Sequence, residues 1–157
     1  MTSTQSEPTA SITGPVLLAY DGSELAGYAI EQAAQQLTLQ REAVVLCVWQ
    51  PADVGFVPTS KRHFDADQAT EVKQAAEETA AHGAVLAAAA GFHAHSMTIE
   101  AAPTWKGIID VAVERQVSLV VVGSHRRKGI MGHLLGSVAA DVVAHAPGPV
   151  LVVHQRL

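Results

Sequence analysis

The sequence predicts an α/β fold in which helices cover both faces of a single, doubly wound parallel sheet. Apolar, strand-like runs alternate five times along the chain with segments of helical periodicity. Several runs, such as "SLVVVG" at residues 118–123, are continuously apolar, whereas a strand with one wet face would alternate. A length of 157 residues suits one domain with a sizeable core. We therefore expect one domain over residues 14–157, preceded by a disordered polar tail over residues 1–13.

The first part of the chain supplies two strands and the helix between them. A short apolar strand is predicted at residues 15–20, and the turn "DGSE" follows, in which Asp21 or Ser23 can cap a helix. Apolar residues then recur at helical spacing from residue 24 to about residue 40. The run "AVVLCVW" at residues 43–49 is rich in β-branched residues and predicts the second strand.

The middle of the chain begins with a loop that contains proline and glycine. An alanine-rich helix is then predicted over about Ala66–Ala90. Gly83 lies on the apolar face of this helix, where we expect it to permit close packing, and Gly91 is the expected stop. Partial alternation at residues 96–102 predicts the third strand.

The last part of the chain repeats the alternation twice. Thr104 is expected to cap a helix over "TWKGIIDVAVERQ", residues 104–116, and "SLVVVG" is the fourth strand. A helix at Ser137–His145 is stopped by "APGP". The run "VLVVH" at Val150–His154 is the fifth strand.

Composition excludes several classes of protein. The formal net charge of −5 argues against a general nucleic-acid binder, which usually presents a basic face. Cys47 is the only cysteine, so no disulfide forms within the chain and a reducing compartment is expected. No apolar run approaches the roughly 20 residues that a membrane span needs. Because the first residues also lack the features of a signal peptide, we expect a cytoplasmic protein with neither nucleic acid nor a membrane as partner.

A glycine-punctuated basic loop, "GSHRRKGIMGHLLGS", leads from the fourth strand into the last helix. Glycines, backbone amides and positive charge together suggest an anion site, to which the helix start at Ser137 would add free amide donors. This loop and the turn "DGSE" both follow carboxyl ends of parallel strands, where such sheets bind ligands. Neither a Walker-type phosphate loop nor a Gly-x-Gly-x-x-Gly fingerprint is present. On pattern alone, a phosphate site and an ordinary solvated loop are equal alternatives.

Three stretches, "VLLAYDGSELAGYAIEQAAQQL", "VVLCVW" and above all "VVVGSHRRKGIMGHLLGSVAADVVAHAPGPVLVV", resemble the universal stress protein family. The resemblance covers essentially the whole chain from residue 15 to residue 154. It implies a Rossmann-like sheet of order 3-2-1-4-5, a cytoplasmic role in stress tolerance, and a homodimer, which we expect to form through the last strand, Val150–His154. It also implies bound ATP or a related adenine nucleotide, with or without Mg²⁺. The protein partners stay unknown.

The resemblance further implies which residues bind the nucleotide. The ATP-binding branch of the family carries Gly-x2-Gly-x9-Gly-Ser/Thr, which matches here at Gly123 and at Gly136 with Ser137. By position, Asp21 would lie near the base and ribose, Val48 would hold the adenine through its backbone, and the matching motif residues would surround the ribose and phosphates. The expected cofactor-binding residues are Ala19, Asp21, Val48, Gly123, Arg126, Gly136, Ser137 and Val138.

Arg126 occupies the position of the second motif glycine. A side chain makes a left-handed conformation costly at this position, and a charge-assisted contact from the guanidinium to phosphate would offset that cost. The alternative is that Arg126 fills the phosphate pocket and blocks it.

The favoured function is therefore a nucleotide-binding regulatory module. A nucleotide-free dimeric interaction protein of the same fold and a slow ATPase or phosphotransfer enzyme are the alternatives. No Ser/His/Asp arrangement and no carboxylate pair indicates a catalyst, so we expect no enzyme activity. His93 and His95 have a spacing that could bind a metal, but without a nearby Cys or acidic partner we expect surface histidines. Cys47 is expected to be a small core residue.

Overall fold

The computed structural model describes residues 14–38, 40–51, 66–125 and 135–155. Within these ranges, four helices flank a five-stranded sheet. The strands are β1 (Val16–Ala19), β2 (Glu42–Trp49), β3 (His93–Glu100), β4 (Leu119–Ser124) and β5 (Val150–His154). The helices are α1 (Glu24–Gln36), α2 (Ala66–Ala90), α3 (Thr104–Glu114) and α4 (Ser137–His145). The predicted tail over residues 1–13 lies outside the described residues.

The strand order is β3-β2-β1-β4-β5, and every neighbouring pair is parallel. This arrangement confirms the predicted fold class and the order that the family resemblance implies. The chain first winds outward from β1 to β3 and then crosses back to place β4 on the other side of β1. The connections that follow β1 and β4 therefore diverge at the carboxyl ends of these strands and leave a crevice between them.

Two apolar cores lie on opposite faces of the sheet. Leu17 and Leu18 are both 0% exposed but belong to different cores, because successive strand residues point to opposite faces. The core that contains Leu18 is closed by α1 and α2, with Ile30 among its members. The core that contains Leu17 is closed by α3 and α4, with Val142 among its members. Burial on both faces explains why the central strands carry continuous apolar runs rather than an alternating pattern.

The bounds of α1 and β3 differ most from the sequence prediction. α1 ends at Gln36 rather than near residue 40, because Leu37 takes an extended backbone with φ −111° and ψ 160°. β3 covers His93–Glu100 rather than residues 96–102. Its first residues are polar and give no apolar signal, but they pair in register with β2, starting with His93 opposite Glu42. Pairing with the neighbouring strand, rather than apolar patterning, sets where this edge strand begins.

The prediction that Thr104 caps α3 is wrong. Thr104 is the first residue of the helix, and Pro103 occupies the N-cap position without a side-chain hydrogen bond. The Thr104 hydroxyl instead accepts a hydrogen bond from Nε2 of Gln50 at 3.5 Å. The threonine thus connects the start of α3 to the segment that follows β2.

Gly83 in α2 confirms the prediction of close packing. A Cβ at this position would lie 2.5 Å from Cδ1 of Tyr20 and 2.7 Å from Cγ1 of Val45. Gly91 has a φ of 110° and follows the last residue of α2, as predicted. Because no side chain intervenes at Gly83, α2 lies directly against the end of β1.

The two tryptophans occupy different environments. Trp49 is 8% exposed and packs with Ala76 and Ala80 in a small cluster beneath α2. Trp105 of α3 stacks on the imidazole of His145 in α4, with the ring centroids 4.3 Å apart and the planes inclined by 20°. The two helices on this face of the sheet therefore meet through an aromatic pair.

Candidate functional site

A cavity of about 410 Å³ opens at the carboxyl ends of β1, β2 and β4. Its wall combines the turn between β1 and α1, the end of β2, the start of α3 and the start of α4. Seven of the eight residues expected to bind a cofactor lie on this wall, namely Ala19, Asp21, Val48, Gly123, Gly136, Ser137 and Val138. The eighth, Arg126, lies outside the described residues. Segments that are far apart in the sequence thus meet at the crevice where the strand order reverses.

The turn between β1 and α1 presents Asp21 and Ser23 to the cavity. Oδ1 of Asp21 accepts a hydrogen bond from the Ser23 N–H at 3.0 Å, and Gly22 between them has a φ of 85°. Oγ of Ser23 accepts a hydrogen bond from the Ala26 N–H at 3.1 Å. Of the two N-cap candidates, Ser23 is therefore the cap of α1, and the exposed carboxylate of Asp21 shapes the turn before it.

Tyr20 connects this turn to α2. Its side chain is 4% exposed, and its hydroxyl is hydrogen-bonded to Nδ1 of His82 at 2.9 Å. Burial raises the pKa of Tyr20 above its ordinary value of 10.0, and the neighbouring negative charge of Asp21 raises this pKa further. The phenol is therefore neutral at physiological pH and acts as a fixed contact behind the cavity wall.

At the end of β2, the backbone of Val48 faces the cavity and has no partner strand on the β1 side. The Leu46 carbonyl still accepts a hydrogen bond from the Tyr20 N–H at 2.9 Å. Val48, two residues further, directs its N–H and C=O to the same side, but β1 has already ended at Ala19. Among the described residues, no backbone group from that side is hydrogen-bonded to Val48. A donor and an acceptor therefore stand next to each other at the cavity wall.

At the opposite end of the cavity, the amino end of α4 is open. Gly136 is its N-cap and makes no side-chain hydrogen bond, and no acidic residue lies in the first turn. In contrast, α1 carries both the Ser23 cap and Glu24 in its first turn. The first amides of a helix have no partner within the helix, so those of Ser137 and Val138 are available at the cavity.

Ser124 is hydrogen-bonded to this helix end, and it is not among the residues that the sequence predicts for the site. Oγ of Ser124 accepts a hydrogen bond from the Gly136 N–H at 2.9 Å, and the side chain is 1% exposed. A polar residue at the end of an otherwise apolar strand is the only sequence signal for this contact. Such a signal does not identify the partner, because Gly136 follows twelve residues later.

The remaining wall is divided by polarity. The apolar side chains on the wall include Leu25, Ile108 and Val122. Thr104 and His125 add polar groups to the wall. The cavity can therefore accommodate a flat apolar group next to polar and charged ones.

Metal-ligating and membrane-spanning features are absent from the described residues. No group of three or more His, Cys, Asp or Glu side chains in those ranges could hold a metal ion. The described helices include none with the length and hydropathy required to cross a membrane. His93 and His95 are exposed on the edge strand β3, and Nε2 of His95 lies 3.3 Å from Oε2 of Glu42 on β2. His95 therefore has an acidic neighbour, which comes from the adjacent strand rather than from the local sequence. Cys47 is buried, as predicted.

Comparison with known proteins identifies the family. The model of the universal stress protein family matches residues 13–154. The chain belongs to the universal stress protein family. Universal stress protein YxiE of Bacillus subtilis is 32% identical over 148 residues, which cover 88% of this chain and 97% of YxiE. A universal stress protein of Mycolicibacterium smegmatis is 34% identical over 143 residues, which cover 90% of this chain and 46% of that relative. This universal stress protein thus spans about half the length of several curated relatives that it matches.

Solved structures of universal stress proteins share the fold. A universal stress protein in complex with cAMP aligns with a TM-score of 0.62 and 23% identity, over 90% of this chain and 97% of that one. The Archaeoglobus fulgidus protein in complex with dAMP gives a TM-score of 0.60 and 22% identity, over 90% and 98% of the two chains. An Arabidopsis thaliana family member with AMP bound gives a TM-score of 0.62 and 17% identity, over 91% of this chain and 92% of that one.

Proposed function

We propose that this universal stress protein binds an adenine nucleotide, ATP in particular, and acts as a ligand-modulated dimeric regulatory module in the cytoplasmic stress response. One observation carries the proposal. A single cavity places an unpaired backbone donor and acceptor at one end and an uncapped helix start at the other. The first feature suits the edge of a base, and the second suits phosphate.

The base would lie against the end of β2. Adenine presents an amino donor next to a ring-nitrogen acceptor on its Watson–Crick edge, which complements the C=O and N–H of Val48. Guanine presents the opposite order, so both contacts would pair like groups. The apolar side chains of Ile108 and Val122 would contact the faces of the ring. Adenine is therefore the favoured base.

The phosphates would lie at the amino end of α4. The dipole of a helix places roughly half a positive charge at this end, and the amides of Ser137 and Val138 would donate hydrogen bonds to phosphate oxygens. Asp21 would lie between the two ends, near the base and ribose. Ala19 and Gly136 would let the ligand approach the backbone, and Gly123 would also line the site.

The solved universal stress proteins with bound cAMP, dAMP and AMP support an adenine nucleotide as the ligand class. The nine residues between His125 and Leu135, which include Arg126, lie outside the described residues. Both proposals for Arg126, as an additional phosphate ligand or as a plug, therefore remain open to experiment.

Calorimetric titration with ATP and with GTP, each with and without Mg²⁺, tests the proposal. We expect ATP to bind at least about tenfold more tightly than GTP, because mismatched polar groups at Val48 would be left unpaired. Mass spectrometry of small molecules released from the denatured protein would identify a retained nucleotide. If neither titration nor release shows any nucleotide, the protein is better described as a nucleotide-free dimeric interaction module.

Binding is expected without turnover at an enzymatic rate. The described cavity wall offers Asp21 as its only carboxylate and no lysine, whereas phosphoryl transfer relies on positioned cations and a group that orients the nucleophile. A turnover assay with ATP checks this expectation. Multiple turnover at or above roughly 1 s⁻¹, the low end for ordinary enzymes, would identify an enzyme instead.

The dimer would form through β5. This strand is an edge of the sheet, and its Val150–His154 backbone groups on the outer side have no partner strand among the described residues. An apolar edge strand is a ready template for another strand. Pairing of β5 with the same strand of a second copy would cover both edges.

A further inference from the structure

We propose that Ser124 is the residue that positions the amino end of α4 for phosphate binding. The inference rests on the proposed function, because it concerns the phosphate end of the same cavity. Ser124 lies behind the cavity wall and does not line it. It would act through Gly136, and it is therefore a positioning residue rather than a ligand of the phosphate.

The contact that carries this inference joins the end of β4 to the N-cap of α4. Ser124 is the last residue of β4, where its backbone pairs in register with His154 of β5. Its Oγ accepts the Gly136 N–H at 2.9 Å. Residues 126–134 lie outside the described residues, and the hydrogen bond joins the two described segments on either side of them.

The consequence for the cavity follows from the place of Gly136 in the helix. Gly136 is the N-cap of α4, and it has no side chain with which to hold the helix start. The peptide plane that carries the Gly136 N–H is fixed by Ser124, and the Ser137 and Val138 amides follow directly along the backbone. Hydrogen bonds weaken steeply with misalignment, so a mobile N-cap would weaken donation to phosphate. It would not affect groups that contact Val48.

Ser118, which immediately precedes β4, provides a matched control. It precedes β4 at the opposite end, is 7% exposed, and its Oγ donates to the Gly14 carbonyl at 2.7 Å. Oγ of Ser118 also accepts a hydrogen bond from Nη2 of Arg41 at 2.6 Å. Ser118→Ala therefore removes a buried, hydrogen-bonded hydroxyl at the amino end of β4, away from the cavity.

The experiment compares adenosine, AMP and ATP by calorimetry in the parent protein, Ser124→Ala and Ser118→Ala. For Ser124→Ala we expect roughly tenfold weaker binding of AMP and ATP, which corresponds to the contribution of about one hydrogen bond. Adenosine, which lacks phosphate, should bind within about twofold of the parent. Ser118→Ala should bind all three ligands as the parent does. Ser124→Thr keeps the hydroxyl and should retain most of the phosphate affinity.

A second measurement does not depend on any ligand. Amide exchange at Gly136, followed by NMR in the nucleotide-free protein, should be at least tenfold faster in Ser124→Ala and unchanged in Ser118→Ala. Unchanged exchange at Gly136, an equal loss of affinity for adenosine and ATP, or an equal loss of ATP affinity in Ser118→Ala would overturn this inference alone. If the parent binds none of the three ligands, the proposed function falls, and this inference falls with it.

Discussion

At the scale of single residues, the two motif glycines that the structure describes lack a side chain for different reasons. A Cβ at Gly123 would lie 2.8 Å from Cγ of Leu25, so the close approach of α1 to β4 requires a glycine there. A Cβ at Gly136 would lie at least 3.8 Å from every described atom outside the neighbouring residues. The φ of Gly136 is −56°, which residues other than glycine also adopt. The described residues therefore impose no steric need for a glycine at position 136, which lies on the cavity wall.

Alanine substitution separates these two roles. Gly123→Ala should lower the free energy of unfolding by about 1–3 kcal/mol, because the added methyl group overpacks the contact with Leu25. Gly136→Ala should change stability by less than about 1 kcal/mol but weaken ATP binding, because the Cβ occupies space intended for the ligand. Urea unfolding and calorimetry measure the two effects. Equal losses of stability, or parental ATP affinity in Gly136→Ala, would contradict this assignment.

The raised pKa of Tyr20 predicts that the stability of the protein depends on pH in the alkaline range. The pKa of Tyr20 is raised in the folded protein, first by burial and then by Asp21. Its contribution to stability is fully present below the unfolded pKa of about 10 and is lost as pH rises through the folded pKa. At pH 7, Tyr20→Phe should be less stable by about 0.5–1.5 kcal/mol, because the hydrogen bond to His82 is lost. In urea unfolding, the difference between parent and variant should shrink above pH 10; a constant difference would show that the Tyr20 pKa is not raised.

A pair of variants tests whether Arg126 contacts phosphate or fills its pocket. If the guanidinium contacts phosphate, Arg126→Ala should weaken ATP binding, because the substitution keeps a Cβ and removes the charge. If Arg126 plugs the pocket, both Arg126→Ala and Arg126→Gly should bind ATP more tightly than the parent. Calorimetry distinguishes the two cases. Equal or tighter binding by the alanine variant would end the assisted-phosphate interpretation.

At the scale of elements, two helical glycines make a matched pair. Gly83→Ala would gain up to about 1 kcal/mol of helix propensity, but its Cβ would lie 2.5 Å from the ring of Tyr20. We expect a net loss of stability of about 1–3 kcal/mol. A Cβ at Gly27 in α1 would make only an ordinary contact, 3.7 Å from Cδ1 of Leu86. Gly27→Ala should therefore stabilise the protein by about 0.5–1 kcal/mol. Urea midpoints that move in the same direction for both variants would contradict the packing argument.

The elements also show how far the sequence alone reaches. β4 and β5 could be located because continuous apolar runs are typical of strands buried on both faces. β3 could not be delimited, since its first residues are polar and are recruited by pairing with β2. In the site, the family motif predicts Gly136. The contact of Ser124 with Gly136 could not be predicted, because it joins two segments that no local pattern relates. Local sequence specifies elements, and tertiary contacts specify their ends and the support behind the site.

At the scale of the whole molecule, the backbone alternation of β5 indicates where a second copy would bind. The Val120 N–H donates to the Pro149 carbonyl at 3.0 Å, so residues 149, 151 and 153 direct their backbone groups to β4. Residues 150, 152 and 154 direct theirs to the free edge. The Val152 N–H is therefore available to a partner strand and takes no part in the pairing between β4 and β5.

Val152→Pro should shift the protein from dimer to monomer without breaking a hydrogen bond within the sheet, because proline removes this outward donor. Light scattering at micromolar concentration measures the change. Val152→Ala keeps the N–H and should remain dimeric. Ser96→Pro on the opposite edge strand should also remain dimeric, because the dimer does not involve β3. A monomeric parent protein would refute the dimer itself.

The aromatic pair between α3 and α4 gives the molecule an optical probe of its own. Trp105 follows Thr104, which lines the cavity, and its indole rests on the imidazole of His145. The other indole, Trp49, lies in a separate cluster beneath α2. In a Trp49→Phe variant, the fluorescence of Trp105 alone would report changes next to Thr104 on the cavity wall. Ligand entry could then be followed in real time without a label, on a protein otherwise close to its natural composition.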